Sequence, residues 1–314
     1  MSRAAKCSAE DFVALYNTFG PTETALRLNC SERAVYRRKS KLSKTHQLIL
    51  PQHSRKPWPG RTSLELLNGT VLVGSDFHIW PGDPSTCLRA FKKFITDLKP
   101  DVIVLNGDVM DFPRISKHPQ RNWETAPEPA QEIEAVQDHL SDIVNRAKRG
   151  SKKIWTWGNH DDRFESMVAN TLPLYRGIKG VRLHDHFAIW ERAMSLFINE
   201  ETEGATMVLH RMSGGVHATY NNVKKGFVNV ITGHLHQQNV RPLSTYRSVD
   251  FYGVDTGCVA DKHHKAFSYT LGSALDWREG FALLTYKDGR LMYPELISKW
   301  GDDYVQFRGR LIRV

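Results

Sequence analysis

The sequence is short of cysteine and of long apolar runs, and it has no excess of acid. Its four cysteines, Cys7, Cys30, Cys87 and Cys258, lie far apart and form no C-x-x-C pair. That spacing excludes a disulfide framework and a thiolate metal site. No apolar stretch approaches the ~18 residues of a spanning helix, so no membrane partner is expected. The opening residues, Met1-Ser2-Arg3-Ala4-Ala5-Lys6, lack the apolar core of a secretory signal. These absences predict a cytoplasmic location. Hydrophobic residues make up 40% and charged residues 25% of the 314, which excludes disordered, collagen-like and coiled-coil chains. The length suits about two domains.

What is present is positive charge, unevenly placed. The net charge is +9. Residues 1–62 hold twelve Lys/Arg against four acids, whereas the remainder holds 31 against 30. Such segregation points to a polyanion-binding module joined to an electrostatically ordinary body. Ser8–Lys44 reads as three short helices. Ser8-Ala9-Glu10-Asp11 looks like a capping box, followed by Phe12, Leu15, Tyr16 and Phe19 on one face. Gly20-Pro21 ends that helix and starts the next; Ser31 caps the third. Ala25, Asn29 and Val35 fall where a helix-turn-helix needs a small residue, a turn and a space-filling β-branched residue. The third helix would then offer Glu32, Arg33, Tyr36, Arg37, Arg38 and Lys41 to DNA. The alternative is a three-helix packing module with a solvated basic face. The expected domains are a helix-turn-helix-like unit over 1–45, a linker over 46–68 and a catalytic domain over 69–314.

From residue 69, apolar runs each end in a polar knot. Val71-Leu72-Val73 leads to Asp76-Phe77-His78, and Val102–Leu105 leads to Gly107-Asp108-Val109-Met110-Asp111. Ile154–Trp157 leads to Gly158-Asn159-His160-Asp161, Met207–Leu209 to His210, and Val228–Ile231 to Gly233-His234-Leu235-His236. Short buried strands alternating with helical stretches indicate an α/β fold. One such helix is capped by Asp83 and opened by Pro84; another spans roughly Gln131–Lys148. Ligands gather beyond the carboxyl ends of strands in such sheets, so five knots of Asp, Asn and His predict a metal site.

In order and composition these five blocks resemble the signature of the calcineurin-like metallophosphoesterases, and such a hydrolase behind a helix-turn-helix resembles phage or mobile-element proteins. The resemblance implies a four-layer α-β-β-α sandwich of two mixed sheets, preceded here by the small all-α domain. It implies two divalent metal ions: Asp76, His78 and His236 on one, Asn159, His210 and His234 on the other, with Asp108 bridging. Carboxylate and amide oxygens mixed with imidazoles favour Mn²⁺, with Fe or Zn²⁺ also suited. His160 matches the family's catalytic histidine, with Asp111 orienting it; Asp161 reads as structural. His217 rivals His210 but sits in a loop, and Arg211 stands where many relatives have glycine.

The family acts on many phosphoesters, so the fold does not choose the substrate. Phe112-Pro113 after Asp111 and Asp161 after His160 depart from the Ser/Thr phosphatase pattern. The loop Phe112–Trp123 carries Arg114, Lys117, His118 and Arg121 as candidates for the substrate edge, or is an ordinary solvated loop. Asp276–Gly280 reads as a structural turn. The expected function is a two-metal phosphodiesterase or nuclease tethered to DNA. The alternative is a phosphatase or phosphodiesterase for a small molecule such as a nucleotide, its N-terminal domain serving localisation or assembly.

Overall fold

The structure, a computed structural model, describes residues 7–46, 60–117, 126–246, 250–270 and 273–314. The chain forms two compact units, Met1–Trp58 and Pro59–Val314.

In the first unit, α1 (Ala9–Arg27) and α2 (Glu32–His46) surround a small core of Phe12, Tyr16, Ala25, Val35 and Leu42. Ser8 Oγ accepts from Asp11 N at 2.9 Å and caps α1. Gly20, at φ 71° and ψ 179°, breaks α1, and Pro21 resumes it. The expected first two helices are thus the two arms of a kinked one. Cys30 N donates to Ala25 O at 2.9 Å across the turn, where Asn29 takes φ 47°; Asn tolerates that left-handed geometry better than most residues. Phe19 departs from expectation. It is 42% exposed, with the Arg27 guanidinium 3.8 Å over its ring, because the break at Gly20 ends the packed face.

The second unit runs, in chain order, β1 (Arg61–Leu64), β2 (Gly69–Gly74), α3 (Thr86–Leu98), β3 (Val102–Asn106), α4 (Pro129–Arg146), β4 (Lys152–Thr156), α5 (Asp161–Thr171), β5 (Glu191–Ala193), β6 (Ser195–Ile198) and β7 (Thr206–Val208). It continues through α6 (Ala218–Gly226), β8 (Asn229–Thr232), β9 (Gln238–Ser244), β10 (Asp250–Thr256), β11 (Gly280–Lys287), β12 (Arg290–Leu291), β13 (Glu295–Gly301), β14 (Tyr304–Phe307) and β15 (Arg310–Arg313). Among the described residues these strands make two mixed sheets. One has the order β1-β6-β7-β8-β10-β9, and the other β15-β14-β13-β11-β2-β3-β4-β5, with β12 beside β11.

Alternation along the strands sorts the core into two layers. Leu72, Ile103, Leu105, Trp155 and Phe281 join Phe91, Ile95, Val136 and Leu140 of α3 and α4. Val71, Val73, Val102, Val104, Ile154 and Leu284 join Leu196, Ile198, Val208, Ile231 and Val254 of the facing sheet. Each such buried aliphatic side chain contributes about 1.5–3 kcal/mol. On the other side α6 packs on β8, β9 and β10; it comes so close that a Cβ on Gly253 would strike Thr219 O. The layers are α-β-β-α.

Two expectations are corrected. The linker does not reach residue 68: β1 pairs in parallel with β6, Arg61 opposite Ser195 through Leu64 opposite Ile198. An edge strand needs only one buried face, and Leu64 supplies it, so Arg61-Thr62-Ser63-Leu64 shows no apolar run. The cap of α3 is Ser85, whose Oγ accepts from Leu88 N at 3.0 Å, rather than Asp83.

Candidate metal centre

Parallel strands β2, β3 and β4 in one sheet, with β7 and β8 in the other, release their loops at one end of the sandwich. The loops continue to hold one another after the strands stop. Asp76 N donates to Gly107 O, and His78 N to Asp108 O, both at 3.0 Å; Gly233 N donates to His210 O at 2.9 Å. To turn so sharply, Asp76 (φ 54°), His78 (40°), Asp108 (49°), His234 (70°) and His236 (57°) all adopt left-handed backbone. For residues with a Cβ this costs roughly 1–3 kcal/mol each. Gly158 and Gly233 permit the closest approaches. A Cβ on Gly158 would overlap the Asp108 amide and carboxylate, and one on Gly233 would overlap Ser75 and Asp76.

The result is a buried cluster of donors. Ligand atoms of Asp76, His78 and His236 lie within 4.8 Å of one another, as do those of Asp108, His210 and His234, and those of His78, Asp111 and His160. Asn159 Oδ1, His78 Nε2 and His236 Nδ1 are buried without a hydrogen-bond partner. Such orphaned atoms are rare in folded proteins and call for an ion or water. Carboxylate and amide oxygens with imidazoles suit Mn²⁺, Fe or Zn²⁺, so the residues fit divalent cations. His210 Nε2 lies 3.1 Å from Asp108 Oδ2, and its Nδ1 meets Asn106 O at 2.8 Å. Burial opposes charging this ring, but Asp108 and Asp76 outweigh it and raise its pKa to about 10. Asp76 is buried, yet His236 and His210 lower its pKa to about 2. The rival His217 is exposed at the start of α6.

His160 is held on both sides. Its Nδ1 lies 2.8 Å from Asp111 Oδ1, and Arg163 Nη2 lies 3.1 Å from its Nε2. Burial disfavours the charged ring, but the Asp111 hydrogen bond and the Asp108 charge raise its pKa on balance. Asp111 Oδ1 is also 3.4 Å from His78 Nδ1. Arg163 further donates to Asp111 O at 2.6 Å.

Asp161 reaches no open face of this cluster and anchors its walls instead. Its Oδ2 accepts from Asp108 N (3.0 Å), Gly158 N (2.9 Å) and Trp155 Nε1 (3.0 Å). Its Oδ1 accepts from Val109 N (2.9 Å) and Met110 N (3.2 Å). Glu132 of α4 does the same for the next residues, accepting from Asp111 N at 3.0 Å and Phe112 N at 2.9 Å. Burial first, with Asp111 nearby, raises the Glu132 pKa to about 8 in spite of those bonds. Phe267 and Trp277 line the His236 side, the Trp277 ring 4.2 Å and the Phe267 ring 5.8 Å from the imidazole.

Sequence reading had missed Arg163, Glu132, Phe267 and Trp277. Arg163 was accessible as the residue one helical turn past His160. The others arrive from distant segments and carry no local signal; the turn Asp276–Gly280 supplies a wall of the cluster.

The proposed substrate edge is reshaped. Arg114 is bound to Ala126 O at 2.9 Å and to Glu128 at 3.1 Å, which ties it to the entrance of α4. Lys117 is exposed; His118, Arg121 and Trp123 lie outside the described residues. On α2, Arg33, Tyr36, Arg37 and Lys41 are exposed, while the Glu32 side chain lies outside the description. Arg38, the remaining candidate on α2, is engaged within the helical unit. It donates to Cys7 O and to Ser8 O and lies 4.8 Å over the Phe12 ring, so its charge closes the helical unit.

The curated relatives include the "Gene 54 protein" of Mycobacterium phage D29, 28% identical over 246 residues, and that of Mycobacterium phage L5, 28% identical over 245. Each alignment covers 72% of this chain and 92% of the relative. Solved structures that match include Vps29 of Entamoeba histolytica, as a single mutant (14% identity, TM-score 0.38, 78% of this chain and 98% of that one) and as wild type complexed with zinc (13%, 0.38, 77% and 96%). The family model for calcineurin-like phosphoesterases matches residues 69–248. With that match across more than half of its length, this chain belongs to the calcineurin-like phosphoesterase family.

Proposed function

We propose that this metal-dependent phosphoester hydrolase is a phosphodiesterase or nuclease held on DNA by its N-terminal helical unit, and that it uses two divalent cations, Mn²⁺ before Fe or Zn²⁺. Asp76, His78 and His236 would hold one cation, and Asn159, His210 and His234 the other, with Asp108 shared. Bound there, such cations would lower the pKa of a water and neutralise charge on the phosphoryl oxygens. The protein's own part is to hold these groups in place, and to hold a proton at His160 Nε2 for the departing oxygen while Asp111 fixes the ring through Nδ1.

One observation carries the DNA reading. Arg33, Arg37 and Lys41 recur every four residues on α2 and are exposed, with Tyr36 beside them, whereas Val35 and Leu42 are buried. A helix with one packed face and one exposed basic face is the form that enters a DNA groove. The segment's excess of twelve bases over four acids supports it.

A second reading keeps the catalytic chemistry but replaces DNA with a small phosphoester. It draws on the even balance of 31 bases and 30 acids outside residues 1–62, since nucleases commonly carry a basic groove of their own.

The test is side-by-side hydrolysis by metal-loaded protein of plasmid DNA, a bis-aryl phosphodiester, a cyclic nucleotide and an aryl phosphomonoester. We expect diester preference and nicked DNA. Arg33→Ala and Arg37→Ala should weaken DNA binding and flatten its salt dependence by roughly 0.9 in log–log slope per lost phosphate contact, leaving small-diester turnover unchanged. Untouched DNA with strong monoester preference would transfer the assignment to the second reading.

A further inference from the structure

We infer that Arg163 is the residue that grips the substrate's phosphoryl group, and that it reaches it by leaving His160. The inference rests on the reading of His160 as the proton donor.

Three features of Arg163 support it. The first is what it occupies. With Asp111 Oδ1 2.8 Å from Nδ1, the ring donates there, which leaves Nε2 as an acceptor; the guanidinium, 3.1 Å away, supplies the donor. The guanidinium therefore stands over the edge of His160 that the proton-donor reading turns toward the leaving oxygen, where a bound phosphoryl group would compete for it. The second is its shared counter-charge. Its carboxylate contact is Asp111 Oδ1 at 3.6 Å, an oxygen already engaged by His160 at 2.8 Å and approached by His78 at 3.4 Å. The closer contacts are a carbonyl and a ring nitrogen. A largely covered guanidinium in that setting gains most from a phosphate, whose oxygens accept its N–H groups in parallel.

The third is position. Arg163 lies in the first turn of α5, which begins at Asp161, and Asp161 is bound by five N–H donors from the site's walls. The root of the side chain is therefore steady while its end can pivot. The Nε2 it covers lies 3.9 Å from Asp108 Oδ2, so a phosphoryl group beside Asp108 comes within a short swing of the guanidinium. The basic loop that follows Asp111 offers no equivalent through Arg114, which is tied to Glu128 and Ala126.

The experiment uses the full chain loaded with Mn²⁺, in three forms: unaltered, Arg163→Lys and Arg163→Met. Orthophosphate binding is measured by calorimetry, metal content by elemental analysis, and KM and kcat with an aryl phosphomonoester and a bis-aryl phosphodiester. Arg163→Met should retain both metals while phosphate affinity weakens roughly 10–100-fold, the scale of lost charge-assisted hydrogen bonds, with KM rising in parallel. Arg163→Lys should recover part of the affinity. Unchanged phosphate affinity with a lowered kcat would overturn the inference, because Arg163 would then only steady His160. Should Arg163→Met fail to fold, Arg163→Lys decides alone: phosphate affinity equal to that of the unaltered protein overturns the inference, and a several-fold weakening supports it. The phosphate and monoester arms report even if DNA proves not to be a substrate.

Discussion

Removing the Asp161 carboxylate should do more harm than removing one of the proposed metal holders. Asp161→Ala leaves five buried N–H groups without an acceptor: those of Asp108, Val109, Met110 and Gly158 and the indole of Trp155. A buried donor left unsatisfied costs about 1–3 kcal/mol. Even at about 1 kcal/mol each, five amount to about 5 kcal/mol, within the ~5–15 kcal/mol that is a protein's whole margin. Asp161 is itself an expensive acceptor, its pKa raised to about 6 by burial and by the charge of Asp108, but only the carboxylate form accepts all five bonds. Asp161→Asn offers one oxygen and turns an NH₂ toward the remaining donors, so a loss of about half is expected. Urea unfolding followed by near-UV circular dichroism measures both, with manganese affinity by titration as companion, because the left-handed Asp108 depends on the same anchor. If Asp161→Ala shifted stability by less than about 1.5 kcal/mol with metal binding intact, the carboxylate would not be the clamp described here.

Three further outcomes are expected. Gly158→Ala should lose metal and activity together, since its Cβ would overlap the Asp108 amide and carboxylate; an active, metal-replete variant would count against the proposed role of Asp108. Glu132, with an ordinary pKa of 4.5 and a folded one of about 8, takes up a proton on folding. Stability of the metal-free protein should therefore fall as pH rises between those values, by up to about 1.4 kcal/mol per unit, and Glu132→Gln should flatten that slope in pH-dependent urea titrations. His160→Ala should keep both metals and lose roughly 10²–10⁴ in rate on poor leaving groups but far less on an activated aryl diester; equal losses would remove it as the proton donor.

The loops of the candidate site were legible in the sequence because each of its Asp/Asn/His blocks sits directly behind its own strand. Asp76, Asp108, Asn159, His210 and His234 each follow an apolar run within a few residues, and a strand's end is where a chain of this class exposes polar groups. What local pattern could not show is what returns from elsewhere. Glu132 reaches Asp111 from α4 across a loop, and Trp277 reaches His236 from some forty residues downstream. Their partners are set by topology, and neither residue type stands out in its own neighbourhood. The strand Arg61–Leu64 was hidden for another reason: three of its four residues are polar, and an edge strand needs little apolar material. The internal bonds of Arg38 were equally hidden, because charge alone does not say which guanidinium on a basic helix also closes its own fold.

Asp111 has a consequence beyond orienting an imidazole. The same oxygen stands 2.8 Å from His160 and 3.4 Å from His78, so the acid and one proposed metal holder hang from a single hinge. A larger or smaller cation would tilt His78, press on Asp111, and alter how firmly His160 keeps its proton. Exchanging the metal would then shift the alkaline limb of the pH–rate profile as well as the overall rate. Selection for a new metal in this protein would carry its proton chemistry along with it.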